Sequence, residues 1–154
     1  MSCYLASRGV IVLENHRISF FHQSFYDYVL ARYYVSKKKS FINELPYQFQ
    51  GLEIRSTVKL LLDFERASSD KMYRKDLEII IFSDRIRSHI KQLALSVVAY
   101  SDDIRGFEKK IVRRLYEYDY HLFAFFISSA ISDDQWFYTI EELIKPLLPE
   151  MILK

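Results

Sequence analysis

Three glycines and three prolines are all the strong backbone punctuation in this chain of 154 residues. A β-sandwich, a barrel or a phosphate-cradling loop needs more, because tight reversals use the φ values that Gly and Pro supply at least cost. Helices joined by short polar turns are what remain. Half of the residues are hydrophobic, and a chain of this size hides roughly 68–70% of its unfolded surface on folding, so a real core is expected.

From residue 52 onward the apolar positions recur at helical spacing. Residues 52–67 align Ile54, Val58, Leu61 and Leu62, and residues 70–82 align Tyr73, Leu77, Ile80 and Ile81. Residues 84–100 carry Ile86, Ile90, Leu93, Ala94 and Val97, and 103–117 carry Ile104, Phe107, Ile111 and Leu115. Two further segments, 119–131 and 134–145, precede Pro146 and Pro149. Asp70, Asp84 and Asp102 or Asp103 stand where a carboxylate would satisfy the free N–H groups of a starting helix. Gaps of a few residues make consecutive helices antiparallel neighbours. Like positions recur from Ile54 to Ile86 to Leu122, at 32 and 36 residues. The pattern predicts an all-α, HEAT-like α-solenoid of antiparallel helix pairs, each burying its apolar face on the next. Segment 119–131 is apolar nearly all round, so it should be covered on more than one side.

The beginning reads differently. Gly9 to Leu13 and Arg17 to Phe21 are β-rich runs separated by Glu14-Asn15-His16, the pattern of a small β-hairpin with a three-residue turn. Such a hairpin is marginal alone and must pack on something. A helix follows from His22, with Phe25, Tyr28, Val29 and Tyr33 at helical spacing and Lys37, Lys38 and Lys39 at its cation-favouring end. The chain therefore divides into residues 1–39 and a helical-repeat region, 40–154, with a connector around Leu45-Pro46-Tyr47.

Lys and Arg total 22 against 20 Asp and Glu, a balance too even to argue for nucleic acid or an anionic membrane. No stretch approaches the ~18 uncharged apolar residues of a membrane span, and the cytoplasm is the expected compartment. The single Cys3 has no partner for a disulfide or a thiolate metal site. Asp102-Asp103 and Asp133-Asp134 read as caps rather than as acid/base pairs or metal ligands, and no catalytic residue or metal site is assigned. Ser24 and His22, two apart on a helix, point to different sides and form no nucleophile pair.

Twelve Tyr and twelve Phe supply large surfaces for helix interfaces or partner contacts. Trp136 and Tyr138 read first as core aromatics, with anchoring of a partner as the second reading, and on that reading they are the candidate partner-binding residues. Arg87 and His89, beside Arg85 and Lys91, are candidate partner contacts on a basic turn, whose plainer reading is a solvated helix face. A protein partner suits these features, and oligomerisation is open.

Residues 18–32, running Ile-Ser-Phe-Phe-His-Gln-Ser-Phe-Tyr-Asp-Tyr-Val-Leu-Ala-Arg, closely resemble the strand-to-helix junction that ends the winged-helix domain of NACHT-type, STAND-class signal-transduction NTPases. Leu5 to Val12 looks like the preceding helix end and first wing strand, and Ile86 to Leu95 is similar to helical repeats that follow that domain in some bacterial members. The resemblance implies an ATPase core preceding Met1, a winged-helix remnant, and a sensor of repeats, in bacterial defence or stress signalling. It further implies that His22 reaches the phosphate of ATP or ADP in the parent protein's closed state. This segment, without a GxxxxGK[ST] loop, is expected to be non-catalytic and to hold no cofactor itself. A stand-alone helical-repeat scaffold that binds a protein partner is the alternative.

Overall fold

The computed structural model describes residues 8–14, 17–45, 50–130 and 134–145. Within them a two-stranded antiparallel sheet, β1 (Ile11–Glu14) and β2 (Arg17–Phe20), precedes seven helices. These are α1 (Gln23–Ser36), α2 (Ile54–Ser68), α3 (Asp70–Phe82), α4 (Ser88–Ala99), α5 (Gly106–Tyr118), α6 (Tyr120–Ala130) and α7 (Asp134–Ile144). Cys3, residues 5–7, Asn15, His16, Pro46, Tyr47, Ile131, Asp133, Pro146 and Pro149 lie outside the described residues.

The hairpin is tighter than its sequence suggests. Ile11 pairs with Phe20 and Glu14 with Arg17, so Glu14 belongs to the strand, facing an opposite charge across the ladder. α1 ends in a Schellman motif: the Lys38 N–H donates to the Val35 carbonyl at 3.0 Å and the Lys39 N–H to Tyr34 at 3.1 Å. Lys38 occupies the left-handed position at φ 52°, where glycine is usual and a side chain costs about 1–2 kcal/mol.

Three helix starts differ from expectation because the residue that caps must immediately precede the first turn. Ser69, not Asp70, caps α3, its hydroxyl accepting from the Met72 N–H at 3.4 Å. Asp84 lies in a turn ahead of α4 and accepts from the Tyr118 hydroxyl at 2.7 Å. α5 starts at Gly106, past Asp102 and Asp103, and the Glu108 carboxylate accepts the Arg105 N–H at 2.7 Å.

Packing follows the alternation. α2, α4 and α6 touch in succession, α3 lies against α2, α4 and α5, and α1 lies along α2. This layering of alternate helices is compatible with a stack of helix pairs. α6 meets α4, α5 and α7, which covers its apolar circumference on several sides. The aligned residues converge in one core that includes Leu61, Leu62, Leu77, Ile80, Ile90, Leu95, Val112, Leu115 and Phe126.

Two clusters of ionisable side chains, around Glu108 and around Glu65 and Asp76, are buried inside this apolar frame. Glu108 accepts from the Tyr73 hydroxyl at 3.0 Å and from Arg66 Nε at 3.2 Å. Arg105 turns back to Asp70 and to the Arg66 carbonyl, so α2, α3 and the start of α5 are tied by one polar network. Every side chain named in it has a partner, which is the condition for burying a charge. Glu65 and Asp76 form the second group. Asp76 accepts the one Ser40 hydroxyl proton between its two oxygens, which lie 2.7 and 2.9 Å from Ser40 Oγ. Glu65 is fully buried and neither of its oxygens meets a donor. Burial, then the negative charge of Asp76, push Glu65 up to about 8, and burial raises Asp76 as well. At neutral pH the pair therefore keeps a proton, which Glu65 can donate to Asp76.

Candidate interaction surface

α1 is apolar on two sides, and only one is covered. Asp27 and Ala31, four residues apart, are buried, and Leu30 and Tyr34 flank them on the same side. Asp27 is held there by hydrogen bonds from Gln23 Nε2 at 2.9 Å, Thr57 Oγ1 at 2.8 Å and Ser56 Oγ. The first turn of α2 is thus fastened to α1 through one acid. On the edge between the two helices Tyr28 meets the Phe64 ring edge-on, with centroids 5.6 Å apart, and Arg32 lies over the same ring at 5.3 Å.

The opposite side carries Phe25, Val29 and Tyr33, each 40–48% exposed, and Phe21 ahead of the helix is 61% exposed. His22 sits among them. It is the N-cap residue of α1 with extended backbone (φ −119°, ψ 137°), but its ring makes no capping bond. The ring stands edge-on to Phe21 with centroids 4.6 Å apart and lies 6.1 Å from Phe25. Ile18 on β2 and Tyr26 on α1 extend the exposed apolar surface. A helix whose apolar residues continue past the buried side leaves a face that water solvates poorly, and contiguous faces of this kind mark contact surfaces.

The remaining candidate residues are placed apart from this face. Trp136 is fully buried; its ring N–H donates to the Val98 carbonyl at 3.3 Å, and it meets Phe126 edge-on at 4.8 Å. The core reading is the one α7 realises for this residue. Tyr138 is 65% exposed, edge-on to Phe137, itself exposed, at 5.9 Å. Arg87 and His89 converge instead on the segment that leads into α2. The Arg87 N–H donates to Gln50 Oε1 at 2.8 Å and its Nη1 to the Gln50 carbonyl at 3.2 Å. His89 Nε2 lies 3.1 Å from the same carbonyl, which requires that nitrogen to carry the proton. Gln50, buried, also donates to the Leu45 and Arg85 carbonyls. These bonds commit Arg87 and His89 to holding one connection against the next helix pair.

Asp27, Gln50, Glu65, Asp76 and Glu108 were not singled out by sequence. Asp27 had a readable signal, since it shares its helix side with Leu30, Ala31 and Tyr34. Glu108 follows Arg105 by the three residues of a capping box. The others carry no local signal, because their partners are remote in sequence.

Among the described residues no group of three His, Cys, Asp or Glu could hold a metal ion, and no helix is long and apolar enough to cross a membrane. No family model, curated protein or solved structure matches this chain.

Proposed function

We propose that this chain is a non-catalytic regulatory and sensor segment of a NACHT-like STAND NTPase. In this reading residues 1–39 close a winged-helix domain, and the helix pairs after residue 40 recognise a protein or ligand. The observation that supports it is the uncovered aromatic face of α1, with His22 among Phe21, Phe25 and Val29. A face of this kind suits docking on the parent protein's own NTPase core. His22, exposed at the start of a helix, offers an imidazole N–H where the backbone N–H groups already favour an anion. Binding of a ligand by the repeats would shift the closed-to-open balance only through unequal affinity for the two states.

The test is made on the longer polypeptide. DNA upstream of the Met1 codon is expected to encode, in frame, a phosphate loop; an intergenic gap would defeat the reading. With that core attached, His22→Ala is expected to lower retained nucleotide and raise basal activity, and Val29→Glu to release the docked face. Unchanged nucleotide occupancy in His22→Ala would remove the role assigned to that imidazole. The alternative, a helical-repeat scaffold for a protein partner, draws on Phe137 and Tyr138, which stand side by side and exposed on α7. A cytoplasmic setting belongs to both readings.

A further inference from the structure

Where the end of α1, the α2–α3 junction and the first turns of α3 meet, the surface forms a half-open cleft of about 620 Å³. Three lysines line it, Lys38 from the turn after α1 and Lys71 and Lys75 from α3. Among the described residues none of the three ammonium groups forms an ion pair, and no carboxylate shares the lining. Like charges gathered around one space repel, and nothing in an overall charge of +2 requires them to gather here. Lys38 is moreover held in the left-handed conformation, where glycine would be less strained. The Ser40 hydroxyl, bonded to the buried Asp76, anchors the turn that presents it.

We propose that this cleft binds a phosphate-bearing small molecule. Its phosphate takes charge-assisted bonds from Lys38, Lys71 and Lys75 at the N-terminal end of α3, where helix N–H groups favour anions. Ser69 borders the same space, the Ser68 hydroxyl being committed to the Phe64 carbonyl at 2.7 Å, and Val35 and Met72 supply an apolar wall for an organic portion. The volume falls in the range of small-molecule sites. The site involves neither His22 nor the exposed face of α1, so it stands or falls independently of the switch reading.

Inorganic pyrophosphate, titrated into the full chain by calorimetry at constant ionic strength, tests it. Saturable one-to-one binding is expected. Lys38→Gly, which keeps the turn because glycine accepts positive φ, is expected to weaken binding by about tenfold, the loss of one charge-assisted bond. The double variant Lys71→Ala/Lys75→Ala should weaken it further. Lys109→Ala/Lys110→Ala, which removes two exposed charges from α5 outside the cleft, should leave it unchanged. Heats no larger than dilution, equal affinity in Lys38→Gly, or an equal loss in the α5 variant would each overturn the assignment.

Discussion

Glu65 and Asp76 stand side by side between α2 and α3, both out of reach of water, and the only described donor to either carboxyl is the Ser40 hydroxyl on Asp76. Burial and the neighbouring negative charge hold the Glu65 proton to about pH 8, against an ordinary value of 4.5. Between those two values the folded chain binds one proton more than the unfolded chain. Stability is therefore complete below 4.5 and declines as pH rises through 8, by about 1.4 kcal/mol per pH unit for one linked proton. Asp76, also raised, adds in the same sense. Glu65→Gln is expected to flatten this slope and to be more stable than the parent at pH 9. Urea unfolding across pH 5 to pH 9 measures it, and identical slopes in the two proteins would refute the shared proton.

Glu108 ties the first helix pair to the second. Glu108→Ala leaves Arg66 and the buried Tyr73 hydroxyl without their acceptor, and is expected to cost about 3–5 kcal/mol, the usual penalty for removing one side of a buried pair. Tyr73→Phe, which removes one donor and keeps the ring against Phe107, should cost about 1 kcal/mol. Guanidinium unfolding gives both numbers. A loss in Glu108→Ala no larger than in Tyr73→Phe would mean the network does not hold the pairs together.

Asp27 fastens α1 to α2. Asp27→Ala leaves Thr57 and Gln23 without an acceptor and leaves Ser56 only the Glu53 carbonyl, and should destabilise by about 1–3 kcal/mol. Hydrogen exchange in α1 is expected to quicken well before that in α4, whose contacts lie elsewhere in the core. Uniform acceleration across the chain would argue instead that α1 and the repeats unfold as one unit.

The helices were legible because their signal is local. Leu61, Leu62, Leu77, Ile80, Ile90 and Leu115 are buried where the 3.6-residue period placed them. The β-hairpin was readable from its two β-rich runs, although Glu14, read as part of the turn, is paired with Arg17 in the ladder. Helix starts were less legible. An acid near a boundary satisfies the capping pattern at several positions, and Asp84 went to Tyr118 while Ser69 took the cap. For the candidate residues, type alone did not separate exposure from burial. Trp136 and Tyr138 are two positions apart on α7, and the helix turned one into the core and the other to solvent.

By itself the amino-acid sequence determined an all-helical chain with a small N-terminal hairpin, since the scarcity of Gly and Pro and the apolar period act within a few residues of each position. Tertiary structure alone decided that Arg87 and His89 grip Gln50, that Glu65 is buried beside Asp76, and that three lysines, one from the turn after α1 and two from α3, border one cleft. Those relations join groups that packing brings together across the sequence, and hydrogen bonds and charges depend on distances that no local pattern encodes.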